Sequence, residues 1–435
     1  MTANVCVFVF RRDFRVVDNT AFFHAVEYCK QHNACLWPVF VFNDQQISPE
    51  KNAYYSERCF RFMMHALYNL NEHELNGQLD FLKNNRGDSD DLSFLMDVLS
   101  QRDPNLRLTA VFFNKDLTPY AKRRDRRMIR TAHKRSIHVG TFEDYTIYPV
   151  NTILNKSGTP YLVFTSFYNT LLKRKIPVSS FPKPSRLQSL LLRKKKPLFI
   201  EDPRLRALLI SNPQVTRAHA LRVLRDKKTF AKYKDERNCM GLERATTLLG
   251  PYLKFGLIST REAVRSFVAS YGATHELVKQ LYWREFYYIT HDGFPKMLGG
   301  QVGATNQDFN PNILSNKSWD RRTSSKFRKW ATGNTGAELV DAAMRQLNTT
   351  GYMHNRGRMV TASYLIKNLN IDWRDGERYF ATQLVDYDPC QNNSGWQWSS
   401  GGGVSANPWY RKFNPDIQAS KYDPTGAYRR RYLLK

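Results

Sequence analysis

The chain has 435 residues, with 66 Lys and Arg against 39 Asp and Glu and a formal net charge of +27. This length allows more than one domain with a substantial core, and the charge predicts a polyanionic partner, with nucleic acid the first candidate and a membrane surface the second. There is no apolar run near the roughly 20 residues of a membrane span, no secretion signal and no metal-like spacing of cysteines, so we expect an intracellular protein, nuclear or cytoplasmic and not secreted, with neither a membrane partner nor a metal site.

Apolar runs and amphipathic segments alternate along the first 145 residues. The runs that favour strands are residues 5–10, 36–42, 78–82, 109–113 and 136–142, and the helical segments between them are residues 20–28, 57–70, 90–99 and 120–133. This alternation predicts a parallel sheet covered by helices, in an α/β domain. The first strand is not followed by GxGxxG, so a dinucleotide site of the Rossmann type is not predicted.

The composition changes after residue 176. The stretch IPVSSFPKPSRLQSLLLRKKKP is rich in proline and cations, which predicts an exposed linker. Its RKKK run at 193–196 fits a nuclear signal or a DNA-facing patch, and it equally fits a solvated linker face.

Helical periodicity dominates the rest of the chain. The helical segments are residues 245–255, 260–271, 275–291, 337–347, 353–369 and 376–384. We therefore predict an all-α domain up to the C-terminus. The predicted boundaries are an α/β domain over 1–145, a linker over 146–230 and a helical domain over 231–435.

Polar side chains recur at helical spacing near the end of this region. Asn355 and Met359 are four residues apart, and Asp388, Asn392 and Trp396 also step by four. Burying such polar groups is costly unless a polar ligand satisfies them, so the stripe indicates a binding site. A helix pair with capping carboxylates and core tryptophans is the alternative.

Several long motifs resemble the class I cyclobutane-pyrimidine-dimer photolyases of the photolyase/cryptochrome flavoprotein family. The motifs are HNRGRM, IDWRDGERYF, DYDPCQNNSGWQW and NPWYRKFNPDIQASKYDP, and VFVFRRDFRVVDNTAF and NKDLTPYAKRRD are similar to the family's N-terminal α/β domain. The resemblance implies a helical FAD-binding domain, bound FAD in its reduced form FADH−, and light-driven repair of dimers in damaged double-stranded DNA by a monomer. It also implies a possible antenna chromophore, methenyltetrahydrofolate or a deazaflavin, which we leave unassigned.

The same resemblance implies which residues contact FAD. Thr246 and Thr247 stand where a helix is predicted to begin, and such a position suits phosphate, although an ordinary helix cap is the alternative. Thr247 and Gly250 replace two serines of the family pattern, and Gly250 keeps the backbone N–H but loses a hydroxyl. Arg358 and Asp386 resemble the family's ion pair beside the flavin ring. The full cofactor set is Tyr233, Thr246, Thr247, Leu248, Leu249, Gly250, Arg358, Asp386, Tyr387, Asp388 and Asn392.

A second implied set contacts DNA and the lesion. Asn355 and Met359 occupy positions where (6-4) photolyases have histidines, which favours the cyclobutane dimer as substrate. Gln280 departs from the class I pattern, because glutamate is usual there and glutamine is typical of (6-4) photolyases and animal cryptochromes. A (6-4) photolyase and a cryptochrome-type blue-light receptor are therefore the alternatives. The full DNA set is Arg237, Gln280, Trp283, Arg284, Tyr287, Asn355, Arg356, Trp398, Arg411, Gln418 and Lys421.

The third set of residues that the resemblance implies takes part in electron transfer and in the repair reaction. Splitting a cyclobutane dimer requires an electron that is delivered and returned, which excited FADH− provides. Trp319, Trp373 and Trp396 match the family's three-tryptophan relay, and three core tryptophans are the alternative. Asn392 matches the residue facing flavin N5, where an amide cannot protonate the ring. The full catalytic set is Trp319, Trp373, Trp396, Gln280, Asn355, Met359 and Asn392.

Overall fold

A parallel five-stranded sheet forms the centre of the N-terminal part of the chain. The computed structural model describes residues 3–86, 90–177, 180–193, 202–299, 319–320, 322–404 and 410–434. The strands are β1 Ala3–Phe10, β2 Cys35–Asn43, β3 Asp80–Asn84, β4 Leu106–Asn114 and β5 His138–Phe142. Their spatial order is β3-β2-β1-β4-β5, with every pairing parallel, which confirms the predicted α/β class.

The central strand β1 is buried on both faces, as its unbroken apolar run predicts. Val7 and Val9 belong to the core on one face, and Phe8 and Phe10 belong to the core on the other. The helices that cover the sheet are α1 Thr20–Gln31, α2 Asp44–Ile47, α3 Glu57–Asn69, α4 Asp91–Arg102 and α5 Pro119–Lys134, with a π-helical turn at Leu70–Glu74.

The segment that composition predicts to be a linker packs against both neighbouring parts. It contains a 3-10 turn at Val150–Thr152 and four short helices, α6 Phe164–Leu172, α7 Leu187–Leu190, α8 Pro203–Leu208 and α9 Arg217–Arg225. Phe164, Phe167 and Leu171 are buried in the core shared with the sheet. Residues 194–196 of the RKKK run lie outside the described residues.

The remainder of the chain is helical, as predicted. Its helices are α10 Tyr233–Glu236, α11 Gly250–Lys254, α12 Thr260–Tyr271, α13 Glu276–Gly293, α14 Ser325–Thr332, α15 Glu338–Thr350, α16 Asn355–Lys367, α17 Trp373–Gln383, α18 Pro389–Ser400, α19 Pro415–Tyr422 and α20 Ala427–Leu433, with a 3-10 turn at Pro295–Gly299. Within the described ranges, no helix is long and apolar enough to cross a membrane.

The predicted helix over residues 245–255 is wrong in its first half, because α11 begins only at Gly250. Leu248 has a φ of +54°, a left-handed conformation that is incompatible with a continuing right-handed helix. The Thr247 hydroxyl accepts a hydrogen bond from the Leu249 N–H at 3.4 Å. The two threonines therefore belong to a turn that leads into α11 and do not start the helix.

A buried ionic network fixes the sheet to the helical part. Asp144, just after β5, accepts hydrogen bonds from Arg15 and from Arg261 of α12, the latter at 2.8 Å. Asp18 lies 3.1 Å from the Arg265 guanidinium of the same helix. Buried charges are tolerated only when they are paired and hydrogen-bonded, so separating the two parts would leave these charges unpaired.

Candidate functional site

One cavity of about 490 Å³ lies among α11, α13, α16 and α18. That volume falls in the range of pockets that bind cofactors and drug-sized ligands. The predicted site residues that line it are Tyr233, Arg237, Thr246, Gly250, Gln280, Trp283, Arg284, Tyr287, Asn355, Arg356, Arg358, Met359, Asp386, Tyr387, Asp388, Asn392, Trp396 and Trp398. The predicted site residues outside this lining are Thr247, Leu248, Leu249, Trp319, Trp373, Arg411, Gln418 and Lys421.

A cationic rim continues from the cavity towards the predicted DNA residues. The Arg356 guanidinium carbon lies 4.2 Å from the centroid of the Tyr422 ring, and Arg356 Nη2 donates to the Asn238 side chain at 2.8 Å. Lys421 places its ammonium 5.5 Å from the same Tyr422 ring. Lys421 and Arg411 are exposed, so their charges are accessible beside the cavity mouth.

The pair Arg358–Asp386 forms one wall of the cavity. Arg358 Nη2 donates to both carboxylate oxygens of Asp386, at 2.9 and 3.1 Å, and its Nε donates to the Met353 carbonyl at 2.9 Å. Such a charge-assisted pair holds both groups in one orientation. It presents a fixed guanidinium edge to any ligand in the cavity.

Gly250 is the place where the α11 backbone approaches this pair. A Cβ added to Gly250 would lie 2.8 Å from Asp386 Oδ2 and 3.1 Å from Asp386 Cβ. A side chain at position 250 could therefore be added only if Asp386 shifted. A backbone N–H without a side chain also lets a phosphate group approach closely.

We expect Gly250→Ser to weaken FAD binding although it restores the usual residue. Overpacking of this kind typically costs about 1–3 kcal/mol, and here the strain would displace Asp386 from Arg358. Titration of the apoprotein with FAD measures the effect. Gly241→Ser is the matched control, because a Cβ there would make an ordinary 3.4 Å contact with Ala427. Tighter FAD binding by Gly250→Ser would contradict this account.

Asp388 connects the cavity to the sheet. It caps α18 by accepting the Cys390 and Gln391 N–H groups at 3.0 and 3.2 Å. Its Oδ2 also accepts hydrogen bonds from Arg12, at the carboxyl end of β1, at 2.7 Å and from Tyr288 at 2.6 Å. Although burial acts in the opposite direction, Arg12 and Tyr288 lower the pKa of Asp388 to about 2. The side chain is therefore a fixed anion at neutral pH.

Glu377 is a buried carboxyl group that the sequence analysis did not identify. Asn392 donates from Nδ2 to Glu377 Oε1 at 3.0 Å and to the Glu377 carbonyl at 3.2 Å. Glu377 is only 2% exposed, and burial raises its pKa to about 7. The amide orientation of Asn392 is therefore set by a group that titrates near neutral pH.

The opposite wall of the cavity is aromatic and comes from α13. Gln280, Trp283 and Tyr287 follow the helical period and face the cavity. Phe164 of α6 stacks on the Trp283 ring, with centroids 3.6 Å apart and an interplanar angle of 7°. This contact fixes the plane of the indole, so the predicted linker contributes to the site.

Arg284 of this wall and Arg237, which follows α10, are both predicted to contact DNA but differ in their partners. Arg284 is buried, and its Nη1 donates to the Tyr145 carbonyl at 2.6 Å and to the Thr260 hydroxyl at 2.8 Å. These contacts favour a packing role for the Arg284 guanidinium over contact with DNA. Arg237 is partly exposed and lies 3.1 Å from the Glu276 carboxylate.

The three predicted relay tryptophans lie on adjoining elements. Trp396 is buried against the backbone of α17, where a Cβ on Gly376 would come within 2.2 Å of its ring. Trp373 begins the same helix and is also buried. Trp319 precedes Asp320, whose N–H donates to the Asn370 carbonyl at 2.9 Å, just before α17. Trp373 and Trp396 therefore lie on the neighbouring helices α17 and α18, and Trp319 lies close to the start of α17.

Trp330 is an additional tryptophan beside this set. Its ring centroid lies 6.1 Å from that of Trp396 and 5.6 Å from that of Tyr379. Its indole N–H donates to the Thr361 carbonyl at 3.1 Å. No sequence signal distinguishes Trp330 from an ordinary core residue.

Among the described residues, no cluster of three or more His, Cys, Asp or Glu side chains could hold a metal ion.

Comparisons with known proteins cover almost the entire chain. The family described as DNA photolyase matches residues 6–185, and the FAD binding domain of DNA photolyase matches residues 277–435. A deoxyribodipyrimidine photo-lyase of Alkalihalophilus pseudofirmus is 32% identical over 98% of this chain and 86% of the relative. A deoxyribodipyrimidine photo-lyase of Escherichia coli is 31% identical over 79% of this chain and 72% of the relative.

Two solved structures are similar throughout. A photolyase of the archaeon Sulfolobus tokodaii, described with two FAD molecules, has a TM-score of 0.80 and 30% identity, covering 99% of this chain and 90% of its own. A bacterial class III photolyase of Agrobacterium tumefaciens has a TM-score of 0.83 and 29% identity, covering 100% of this chain and 87% of its own. Both combine an N-terminal α/β part with a helical FAD-binding part, as this chain does.

Proposed function

This chain belongs to the DNA photolyase family, and on that premise we propose that its cavity holds FAD beside a cyclobutane pyrimidine dimer taken out of double-stranded DNA. The reaction is light-driven repair of the dimer, a carbon–carbon lyase reaction. The observation that carries the proposal is the cavity itself, which combines the Arg358–Asp386 pair with an apolar wall that contains Trp283.

The residues on the α11 side fit FAD. Gly250 leaves a space that a Cβ would fill, Thr246 offers a hydroxyl that is paired with Tyr352 at 3.1 Å, and Arg358 offers a fixed cation. Asn392 would face the ring with an amide, which cannot protonate it. Bound FADH− supplies the electron after excitation, and the protein supplies position and electrostatics.

The residues on the α13 side fit an extruded lesion. Trp283 and Trp398 offer apolar ring surface, and Gln280 offers an amide that can donate and accept hydrogen bonds. Asn355 and Met359 adjoin each other at the cavity, with Asn355 Nδ2 3.7 Å from Met359 Sδ. Neither is a titratable acid, which favours the cyclobutane dimer over the (6-4) lesion.

The rim residues would hold the flanking DNA. Arg356 and Lys421 present cations beside the cavity, and contacts of this kind neutralise phosphates without reading sequence. Arg237, Arg411 and Gln418 complete the proposed rim. We further propose that residues 1–145 and 231–435 act as the α/β and FAD-binding parts, joined by the packed segment 146–230.

Illumination of the reduced protein with DNA that carries each lesion separately tests the proposal. Repair of cyclobutane dimers alone is expected. Gln280 favours a (6-4) photolyase as the second candidate, because glutamine at this position is typical of that class. Repair of (6-4) lesions alone would overturn the proposed substrate, and a protein purified without flavin would overturn the proposed cofactor.

We expect Gln280→Glu to preserve or raise the dimer repair yield per absorbed photon. A carboxyl group that is half-buried here tends towards a raised pKa, which gives it a proton to share with the lesion after electron transfer. Affinity for the damaged DNA should change less than the yield, because the gain follows excitation. The yield is measured against Gln280→Ala, which lacks both the amide and the carboxyl. A glutamate variant that repairs as poorly as the alanine variant would contradict this expectation.

We expect Trp396→Phe to slow photoreduction of the oxidised flavin by about tenfold or more, equivalent to about 1.4 kcal/mol of barrier. Repair should be retained when the flavin is chemically reduced first, because the dimer then receives its electron without the relay. Absorbance under blue light measures the first quantity, and a lesion assay measures the second. Trp37→Phe, in the core of the N-terminal sheet, is the control. Photoreduction at the wild-type rate would assign Trp396 to packing alone.

A further inference from the structure

In the sequence, Tyr387 stands between Asp386 and Asp388, two carboxylates of the cavity that each accept a hydrogen bond from an arginine. Asp386 is held by Arg358 and Asp388 by Arg12, so the backbone that carries Tyr387 is fixed on both sides. Tyr387 lines the cavity on one side. Its ring also stacks on Tyr54, with centroids 6.1 Å apart and an interplanar angle of 15°.

This pair of rings connects the cavity with the surface. Tyr54 is 37% exposed, whereas Tyr387 is half-buried. The Arg378 guanidinium carbon lies 5.8 Å from the Tyr54 centroid, and the Lys254 ammonium lies 5.5 Å from the Tyr387 centroid. Two phenol rings in contact, one at the cavity and one at the surface, form the geometry of a short electron path.

A proton acceptor stands beside the inner ring. The Tyr387 phenol lies beside the Glu377 carboxylate, which also accepts a hydrogen bond from the Asn392 amide at 3.0 Å. A tyrosine readily gives up an electron only when its phenolic proton can leave at the same time, because a buried cationic phenol is costly. Glu377 provides that exit in addition to orienting the Asn392 amide.

We propose that Tyr387 is a redox-active residue that delivers an electron to the photo-excited, oxidised flavin while its phenolic proton passes to Glu377. The inference rests on the proposed function, since it requires FAD in the cavity. Tyr387 loses one electron and one proton and becomes a neutral phenoxyl radical. The flavin gains the electron, and the Glu377 carboxylate gains the proton. A soluble thiol that reaches the exposed Tyr54 gives up its S–H hydrogen atom, which restores the tyrosine pair and leaves a thiyl radical.

This route is separate from the tryptophan relay and has its own pH dependence. Burial raises the pKa of Glu377 to about 7, so the carboxylate that accepts the proton is present above that pH and absent below it. The route should therefore become faster as the pH rises through about 7. The charged or titratable groups that face Glu377 and Tyr387 are Arg378, Tyr54, Lys254, Asp388 and Cys390.

The test uses the FAD-loaded Trp396→Phe protein, in which the relay is interrupted. Illumination without a thiol is expected to give the electron paramagnetic resonance signal of a neutral tyrosyl radical, and an added thiol should remove that signal. Tyr387→Phe in that background should abolish the signal. Glu377→Gln should lower the rate of radical formation by about a hundredfold or more, as for loss of a positioned proton acceptor. Tyr379→Phe is the matched control, because Tyr379 is a half-buried tyrosine of the same helix whose hydroxyl donates to the Asn348 side chain.

Each outcome decides the proposal. A tyrosyl signal that survives Tyr387→Phe and disappears in Tyr379→Phe would overturn it in favour of a branch through Trp330. Complete absence of a tyrosyl signal in a protein that retains FAD would also overturn it. The FAD content of every variant is measured from its absorbance spectrum. Loss of FAD from the unmodified protein would instead contradict the proposed function, so the two failures are distinguishable.

Discussion

Asp144→Asn is expected to lower the free energy of unfolding by about 3–5 kcal/mol, because it leaves two buried guanidinium groups without their shared counter-charge. Asp144 is 3% exposed and accepts hydrogen bonds from Arg15 and Arg261, and it also accepts the Thr20 N–H at 3.0 Å and the Thr20 hydroxyl at 2.8 Å. The denaturant midpoint and slope, followed by tryptophan fluorescence, measure the loss.

The control for this prediction is an ion pair of the same chemistry at the surface. Arg86 and Asp97 are about half exposed in their side chains, at 49% and 52%. Asp97→Asn should therefore change the stability by no more than about 1 kcal/mol. Equal effects of Asp144→Asn and Asp97→Asn would show that the buried network does not hold the two parts together.

The same network predicts how stability depends on pH. Although burial acts in the opposite direction, Arg15 and Arg261 hold the pKa of Asp144 well below its usual value. A carboxyl group with a depressed pKa in the folded state contributes stability above its unfolded pKa of about 3.9 and loses it as the pH falls further. Acid unfolding should consequently shift to higher pH when Asp144 is replaced.

The fold of the N-terminal part could be predicted because each element is determined locally. The strand β1 has apolar residues without interruption, and α1 begins after Asn19, whose side chain accepts the Phe22 N–H at 3.1 Å. In the helical part, α12 was predicted over the same residues that the structure shows, and there Ser259 and Glu262 form a capping box. Local signals of this kind do not depend on the rest of the chain.

The packing of the middle segment could not be predicted from its composition. Prolines and cations are concentrated in residues 176–197, but Leu187 and Leu191 within that stretch are buried, as are Phe164 and Leu171 before it. Phe164 meets Trp283 across more than a hundred positions of sequence. Whether an apolar residue in a proline-rich stretch is exposed or buried depends on that tertiary partner, and the sequence of the stretch does not contain it.

The residues of the candidate site likewise divide into those that sequence motifs identified and those that only the structure shows. The resemblance identified side chains within recognisable motifs, and the structure brings most of them to one cavity. It did not identify Arg12, Lys254 or Glu377. Arg12 reaches Asp388 from the end of a strand 376 positions away, and the burial that raises the Glu377 pKa arises only when α17 and α18 pack together. These contributions depend on packing between elements, for which a single sequence has no signal.

Arg358→Ala is expected to weaken FAD binding by about 3–5 kcal/mol, or more than a hundredfold in the dissociation constant. The guanidinium lines the cavity and is bonded to both oxygens of Asp386, so its removal leaves a partly buried carboxylate unpaired beside the anionic cofactor. Two unfavourable effects therefore act together, the loss of a cation and the exposure of an anion to another anion. Titration of the apoprotein with FAD, followed by flavin fluorescence, measures the change.

Two further variants separate the charge of Arg358 from its geometry. Arg358→Lys keeps the charge but cannot form the guanidinium contacts with Asp386 and the Met353 carbonyl, so its affinity should fall between those of the wild type and the alanine variant. Arg374→Ala is the matched control, because Arg374 pairs with Asp372 at 2.6 Å on the neighbouring helix with 48% of its side chain exposed. That variant should bind FAD as the wild type does. Wild-type affinity in Arg358→Ala would mean that the pair supports the fold of the cavity wall and makes no contribution to holding the cofactor.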